Sequence, residues 1–290
     1  MTLLQASHVI LLGCSNGRAK TAQALANLDA LVKLLTNQYG AKVTIRPSIW
    51  LDEERSAHCS AQLRADYLAQ ALADSEVDWI MDLTGGDLAN QTLAALPQKF
   101  FQQLNRQKPV HYMGYSDNSV ILNACLAHDM ILPVNFFPLA LVLDSASRAN
   151  FEAFLQNKPE NDLEAFGGNI RCFLKLAGTS FWPQDIVGRR LYLEASSGSL
   201  ERIQSMLVQL SQLITLDDLS EICLGQFNEL DDKGQRPILV DYLSSMTETS
   251  ITENSYLGHR FPLAPYRYVS PHSACKSSFP NHGQIQYLPM

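Results

Sequence analysis

The sequence lacks the cysteine and histidine spacings that mark metal sites and disulfide-rich scaffolds. It contains neither a C-x-x-C pair nor an H-E-x-x-H motif, and its six cysteines lie far apart, at Cys14, Cys59, Cys125, Cys172, Cys223 and Cys275. Zinc ligands and disulfide frameworks recur at short, regular spacings. We therefore expect free thiols, no metal and no cofactor.

Long apolar runs and clusters of basic residues are also absent. No segment reaches the ~20 apolar residues that a membrane-spanning helix needs. The short run at residues 9–12 has no Lys or Arg before it, so it is interpreted as a buried strand rather than a signal sequence. The net charge of −7 disfavours binding to nucleic acid, which requires clustered cations. These absences predict a cytoplasmic protein that acts on a small molecule, away from membranes and nucleic acid.

Predicted strands and helices alternate through the first half of the chain. The apolar runs that predict strands are residues 9–12, 42–46, 77–83 and 110–114. The amphipathic segments that predict helices are residues 20–38, 61–74, 88–96 and 118–128. This alternation is typical of an α/β domain with a doubly wound, flavodoxin-like parallel sheet, whose ligands bind at the carboxyl ends of strands. The polar loop at residues 13–17 matches neither glycine-rich nucleotide motif, so it does not favour a nucleotide site.

At 290 residues the chain exceeds a typical single domain, and its pattern changes near the middle. We predict an N-terminal domain at residues 1–145, a polar linker at residues 146–165 and a C-terminal α/β domain at residues 166–290. In the last of these, strands are expected near residues 190–194 and 221–226, with a helix between them. The short apolar pieces after Gly258 predict a β-rich end.

Ser116 lies where a predicted strand turns into a predicted helix. At such a turn the hydroxyl is exposed at the tip of the sheet, beside the free N–H groups of the helix, as a nucleophile requires. The alternative is that Ser116 or Asp117 only caps the following helix. Gly85 and Gly86 follow the predicted strand at residues 77–83. There they either let backbone N–H groups approach a ligand or simply form an ordinary turn before the next helix.

A serine nucleophile needs a base to take its proton and an acid to orient that base. Further along the chain, Glu194 closes an apolar strand and His259 follows Gly258. This order of serine, carboxylate and histidine is one of several in which triads occur, so the order alone does not identify one.

Several segments together resemble the LD-carboxypeptidase family of serine peptidases, which also contains the microcin C self-immunity peptidases. The resemblance implies that Ser116 is the nucleophile, Glu194 the triad acid and His259 the base. It implies an oxyanion hole made by backbone N–H groups of Gly85, Gly86 and Asp117, a cleft between two domains, and a homodimer. The matching motifs follow the family's order: residues 64–80 leading into Gly85-Gly86, then Gly114-Tyr115-Ser116-Asp117, Gly167-Gly168-Asn169, Gly178-Thr179 with Trp182-Pro183, residues 191–194, and Gly258-His259.

The chain departs from the family pattern at several positions, including the oxyanion turn and the segment after His259. The family's carboxypeptidases commonly have Arg-Gly-Gly-Tyr-Gly at the oxyanion turn, whereas residues 84–88 read Thr-Gly-Gly-Asp-Leu, and residues 88–91 are closer to the immunity branch. The segment from His259 to Pro271 is longer than the family pattern, which leaves His272 as an alternative base.

The predicted reaction is hydrolysis of an amide bond in a small peptide through an acyl-enzyme. The favoured substrate, by resemblance, is a murein-derived tetrapeptide that loses a terminal D-amino acid. The alternatives are cleavage of a peptidyl- or aminoacyl-nucleotide amide, a non-catalytic family member, and a small-molecule-binding domain.

Overall fold

The computed structural model describes residues 4–52, 57–156 and 165–268, and the strands within these ranges form two sheets. The strands are β1 His8–Leu12, β2 Lys42–Ile45, β3 Trp79–Asp82, β4 Val110–Gly114, β5 Ile131–Asn135, β6 Ala165–Asn169, β7 Arg190–Ala195, β8 Glu221–Phe227, β9 Ile251–Glu253 and β10 Tyr266–Arg267.

Helices connect the strands of both sheets, and polar side chains begin the longest of them. Thr21, Ser60 and Ser199 each accept a hydrogen bond from the backbone N–H three residues later, which satisfies a donor that the helix itself leaves unpaired. The helices are α1 Ala22–Lys33, α2 Ala61–Ala73, α3 Ala89–Ala95, α4 Phe100–Gln103, α5 Ser119–Cys125, α6 Ala140–Leu143, α7 Ser145–Gln156, α8 Ile170–Phe173, α9 Leu200–Leu213, α10 Asn228–Asp232 and α11 Arg236–Ser244. A π-helical segment, Leu34–Gln38, continues α1, and single 3₁₀ turns lie at Pro47–Ile49, Ser116–Asn118, Leu174–Leu176 and Leu216–Asp218.

The first sheet has the strand order β2-β1-β3-β4-β5-β10. Its first five strands are parallel, and β10 pairs antiparallel with β5. The order 2-1-3-4-5 is that of flavodoxin-like sheets, in which ligands bind where the order reverses, between β1 and β3. The predicted α/β fold class is confirmed, and the loops after β1, β3 and β4 lie at this binding edge.

The second sheet has the parallel order β6-β7-β8-β9. The pattern of residues 165–169 did not predict β6, because adjacent glycines usually indicate a turn. Gly167 and Gly168 have φ of +105° and +117°, and a Cβ on Gly168 would lie 2.4 Å from Oγ of Ser119. The glycines therefore allow the second sheet to approach α5 closely.

The chain does not stay with the second sheet after β9, since β10 returns to the edge of the first sheet. The helix α7, Ser145–Gln156, begins at the last residue of the predicted N-terminal domain and runs through the first part of the predicted linker, and its Phe151 and Leu155 are buried. The proposed domain limits themselves stay a prediction.

Two apolar clusters hold the described residues together. One fills a face of the first sheet and continues into the second sheet, from Ile10 and Val120 to Phe166 and Leu191. The other lies on the opposite face of the first sheet, around Trp79. The five described cysteines are free thiols, and within the described ranges no helix is both long and apolar enough to cross a membrane.

A buried side chain of α5 joins the two sheets. The Nδ2 group of Asn123 donates to the carbonyls of Ser119 and Gly167, at 2.6 and 2.7 Å, and its Oδ1 accepts from the N–H of Gly167 at 2.9 Å. Ser119 adds a second link, because its Oγ accepts from the N–H of Asn169 at 2.9 Å. These bonds fix the start of α5 against the end of β6.

We expect Asn123→Ala to lower the free energy of unfolding by about 3 kcal/mol, because it leaves the buried backbone groups of Gly167 without their partner. Denaturant unfolding followed by circular dichroism measures this loss. Asn27→Ala is the matched control, since Asn27 makes one exposed hydrogen bond with Gln23, and it should change stability by less than about 0.5 kcal/mol. Equal effects from the two variants would contradict the role given to Asn123.

Candidate active site

The backbone at Ser116 is held in a conformation that few residues adopt. Tyr115 is extended, whereas Ser116 has φ of +56°, and α5 begins three residues later. A Cβ on Gly114 would lie 2.8 Å from the Cβ of Asn118, so only glycine permits this tight turn. A strained serine between a strand and a helix is the arrangement that presents a nucleophile.

A buried carboxylate organises the loops around this turn. Oδ1 of Asp82 accepts from the N–H and hydroxyl of Thr84, at 2.9 and 2.7 Å, while Oδ2 accepts from the N–H of Cys14 at 2.8 Å. Burial raises the pKa of Asp82, and these hydrogen bonds oppose the rise. The hydroxyl of Tyr112 lies 3.0 Å from both Asp82 and Asn118. Asp82 therefore ties together the loops that follow β1, β3 and β4.

Gly85 and Gly86 lie beside the serine. A Cβ on Gly85 would be 3.8 Å from Oγ of Ser116, an ordinary contact distance. Gly86 has φ of +126°, and its Cβ would lie 2.3 Å from Oδ1 of Asn16. That oxygen accepts the N–H of Asp87 at 2.8 Å, and the N–H of Asn16 donates to the carbonyl of Gly85 at 3.2 Å. The loop after β1 thus holds the glycine turn in place, a contact that the sequence did not indicate.

The Asp117 carboxylate is fully buried and does not cap the helix that follows it. Its Oδ2 accepts from the hydroxyl of Ser15 at 2.6 Å and from the N–H of Ala89 at 2.8 Å, and its Oδ1 accepts from Nζ of Lys175 at 2.6 Å. The side chain therefore joins the serine turn to the start of α3 and to the second half of the chain. The helix-cap interpretation does not describe Asp117.

Glu194 and His259 form a buried pair at the end of the second sheet. Nδ1 of His259 lies 2.9 Å from Oε2 of Glu194, close enough for a hydrogen bond, but the angle at the ring N–H is too far from straight for one. Neither atom has a different hydrogen-bond partner among the described residues. Burial lowers the pKa of His259, but the Glu194 carboxylate outweighs this effect, so the pKa lies above its usual value. Because Nδ1 faces Glu194, Nε2 is the nitrogen available to another group.

The loop that carries His259 is fixed by Gln226, at the end of β8. Oε1 of Gln226 accepts from the N–H groups of His259 and Arg260, at 2.8 and 2.6 Å, and its Nε2 donates to the carbonyls of Ser255 and Arg260. Gly258 allows this contact, since its Cβ would lie 2.6 Å from the Cβ of Gln226. Sequence analysis missed Gln226, although a polar residue closing a buried strand was a signal that could have indicated it.

The two sheets bring these groups to one place. The ring of His259 lies 5.4 Å from the ring of Tyr115, the residue before Ser116. A small pocket that opens to solvent lies next to Tyr115 and next to Gly258, the residue before His259, and half of the residues that line it are aromatic. Its lining includes Tyr115, Asn135, Phe137, Tyr192, Tyr256 and Gly258.

The other described histidines have structural contacts. His111 stacks on Trp79, and burial lowers its pKa to about 3. His58 accepts the N–H of Gly17, while His8 and His128 make hydrogen bonds away from the Ser116 turn. His272, the alternative base, lies outside the described residues.

Comparison with known proteins gives a family match over most of the chain. The sequence profile of the LD-carboxypeptidase N-terminal domain matches residues 9–133, and that of the LD-carboxypeptidase C-terminal domain matches residues 164–268. A comparison with curated proteins finds no match.

Solved structures show the same fold at low sequence identity. A muramoyltetrapeptide carboxypeptidase from Oxalobacter formigenes is 18% identical with a TM-score of 0.69, and the match covers 90% of this chain and 92% of that one. An MccF-like protein from Bacillus anthracis is 18% identical with a TM-score of 0.75, covering 92% of both chains. MccF in complex with glutamyl sulfamoyl guanosine is 15% identical with a TM-score of 0.73, covering 91% of both chains.

Proposed function

The chain belongs to the LD-carboxypeptidase family of serine peptidases, and on this premise we propose that Ser116, His259 and Glu194 form its catalytic triad. The observation that carries the proposal is the buried contact between Nδ1 of His259 and Glu194, 2.9 Å long, beside the residue that precedes Ser116. A carboxylate in this position keeps the proton on Nδ1, so that Nε2 can accept the serine proton.

In the proposed reaction, His259 removes the proton of Ser116 as the serine oxygen attacks the carbonyl carbon of an amide. The oxyanion is stabilised by backbone N–H groups of Asp117 and of the Gly85-Gly86 turn. His259 then gives its proton to the departing amine, leaving an acyl-enzyme, and water attacks the ester by the same route. The Glu194 carboxylate stabilises the imidazolium in both steps.

The first proposed substrate is a murein-derived tetrapeptide that loses its terminal D-amino acid. The muramoyltetrapeptide carboxypeptidase that shares this fold supports this choice. The second is an aminoacyl- or peptidyl-nucleotide amide. It is supported by the aminoacyl sulfamoyl nucleotide bound to MccF, which has the same fold, and by the aromatic side chains of Tyr115, Phe137 and Tyr256 near the serine turn, whose flat faces could stack on a nucleobase. The homodimer implied by the family and the cytoplasmic location predicted from the sequence remain predictions.

Two parallel assays test the proposal. One measures release of D-alanine from a murein tetrapeptide, and the other measures release of the nucleotide from an aminoacyl sulfamoyl adenosine. Labelling by a fluorophosphonate, mapped by peptide mass spectrometry, reports whether Ser116 is the reactive hydroxyl. Hydrolysis in one assay together with a label on Ser116 supports the proposal and selects the substrate. A protein that is unreactive in all three would contradict it.

We expect Gly86→Ala to lower kcat by about 10² to 10³, the effect typical of losing an oxyanion donor. The added Cβ would lie 2.3 Å from Oδ1 of Asn16, at a φ that side chains rarely adopt, so the turn has to move. Steady-state kinetics of amide hydrolysis measures the change. Gly188→Ala is the matched control, because Gly188 also has a positive φ but nothing lies within 4 Å of its Cβ position. Similar losses in both variants would show that backbone strain alone accounts for the effect.

A further inference from the structure

Two cations from the second half of the chain contact the Gly86 turn of the first. Nη2 of Arg171 donates to the carbonyl of Gly86 at 3.2 Å, and Nη1 pairs with the carboxylate of Asp87. Nζ of Lys175 donates to the carbonyl of Asp87 at 3.2 Å and to Oδ1 of Asp117 at 2.6 Å. The same two side chains therefore reach both turns that hold the proposed oxyanion donors.

Arg171 and Lys175 project together because they are four residues apart in one helical segment, α8 and the 3₁₀ turn that continues it. Asn169 caps the start of that segment, and its N–H donates to Oγ of Ser119, while Ser119 in turn donates to the carbonyl of Ser116 at 2.7 Å. The helical segment that carries the two cations is thus itself fixed to the serine turn.

The contact of Lys175 with Asp117 carries a large electrostatic cost if it is broken. Asp117 is 0% exposed and the Lys175 side chain is 18% exposed, so the carboxylate has little access to water. A buried charge that loses its partner is strongly unfavourable, so the surrounding loops are expected to move to relieve it. Those loops carry the N–H of Asp117 and, through Ala89, the helix that follows the glycine turn.

The contacts of Arg171 act on peptide orientation. A carbonyl and the N–H of the next residue share one plane, so fixing a carbonyl fixes the direction of that peptide. The carbonyl of Gly85 is held by Asn16 and that of Gly86 by Arg171, which together fix the peptides on either side of Gly86.

We propose that Arg171 and Lys175 are positioning residues that hold the Gly85-Gly86 turn and the N–H of Asp117 at the separation an oxyanion requires. The inference rests on the proposed function of Ser116. Neither side chain touches the reacting atoms, and both act through the turns they contact. The second half of the chain thus contributes to the geometry of the oxyanion hole as well as supplying the acid and the base.

If Arg171 and Asp87 formed only a surface ion pair, replacing Arg171 would have a different effect on the reaction of Ser116. Arg171 and Asp87 are 44% and 63% exposed, and exposed pairs add little to stability. Loss of a purely structural contact lowers the fraction of protein that is folded and reactive. A displaced oxyanion donor instead lowers the rate at each intact site.

Phosphonylation by a fluorophosphonate separates these two effects without requiring knowledge of the natural substrate. The final extent of labelling counts intact sites, and the second-order rate constant reports stabilisation of the transition state at Ser116. For Lys175→Met we expect the rate constant to fall about 10- to 30-fold at unchanged extent, since small displacements in an active site are costly. Lys175→Arg, which keeps the charge, should recover to within about threefold of the wild-type rate constant.

Two further variants complete the test. Lys233→Met removes a cation that pairs with Glu229 away from the site, and it should leave the rate constant unchanged. Arg171→Met changes an exposed side chain whose ion pair with Asp87 is also exposed, so we expect it to fold and to carry the test if Lys175→Met does not fold. Its expected effect is a three- to tenfold fall in the rate constant at full extent.

The outcomes distinguish this inference from the proposed function. A wild-type protein that is not labelled on Ser116 overturns both. Labelling of Ser116 in the wild type, with the Arg171 and Lys175 variants reacting equally fast or losing only extent, overturns the positioning role and leaves the proposed function standing.

Discussion

Ser116→Ala is expected to lower the rate of amide hydrolysis by about 10⁴-fold or more and to abolish fluorophosphonate labelling. Alanine leaves the fold intact but removes the oxygen that forms the acyl-enzyme, and in serine peptidases the loss of this atom is among the most damaging single changes. Hydrolysis assays with purified wild-type and variant protein measure the rates, and intact-protein mass spectrometry measures the label.

The matched control for this variant is Ser211→Ala. The hydroxyl of Ser211 is exposed on α9 and donates only to the carbonyl of Val208, so its removal should change neither rate nor labelling. A Ser116→Ala protein that still hydrolyses the substrate at a rate near that of the wild type would remove Ser116 from the mechanism.

The second large effect is expected from Glu194→Gln, which should lower kcat by about 10³ to 10⁴. The amide is nearly the same size as the carboxylate but cannot stabilise the imidazolium, and it no longer favours the tautomer with the proton on Nδ1. Steady-state kinetics measures this loss. Glu221→Gln is the control, because Glu221 pairs with Arg190 at the opposite end of β7 and should leave kcat unchanged.

The pH profile of the same variant gives an independent check. As the proposed base, His259 must be neutral to accept the serine proton, so we expect activity to fall as pH drops through its pKa. In the wild type the carboxylate raises this pKa, which places the midpoint of the acid limb of kcat/KM above the ordinary value of about 6.5. In Glu194→Gln, burial acts on the ring without opposition, so the midpoint should move to lower pH. An unchanged midpoint would show that another group titrates.

Local patterns predicted the elements that carry the serine. The apolar run of β4, followed by glycine and a helical segment, indicated the turn at Ser116. The glycines after β3 indicated the second turn, at Gly85 and Gly86, that lies beside it. Periodicity suffices here because each element is defined by residues close together in sequence. The placement of Glu194 and His259 beside this turn was predicted only through the family resemblance, since no local pattern records which strand ends meet.

The contacts that the sequence did not indicate join distant parts of the chain. Lys175 and Asp117 are paired across the two halves, and neither residue differs in its local pattern from an ordinary helix residue or helix cap. Asn16 likewise contacts the glycine turn from the loop after β1. The helix α11 was missed for a different reason, because its short apolar pattern follows a polar stretch. Contacts between distant residues depend on tertiary packing, which the spacing of residues along the sequence does not record.

The return of β10 to the first sheet has a mechanical consequence for the imidazole. The segment that carries His259 leaves the second sheet at β9 and is anchored again on the first sheet by Tyr266 and Arg267. Because this segment is attached to both sheets, a movement of one sheet relative to the other would displace His259, the proposed base. The proposed reactive geometry therefore requires the assembled chain, and a fragment ending before β10 is expected to lose the alignment of His259 even where it keeps Ser116 and Glu194.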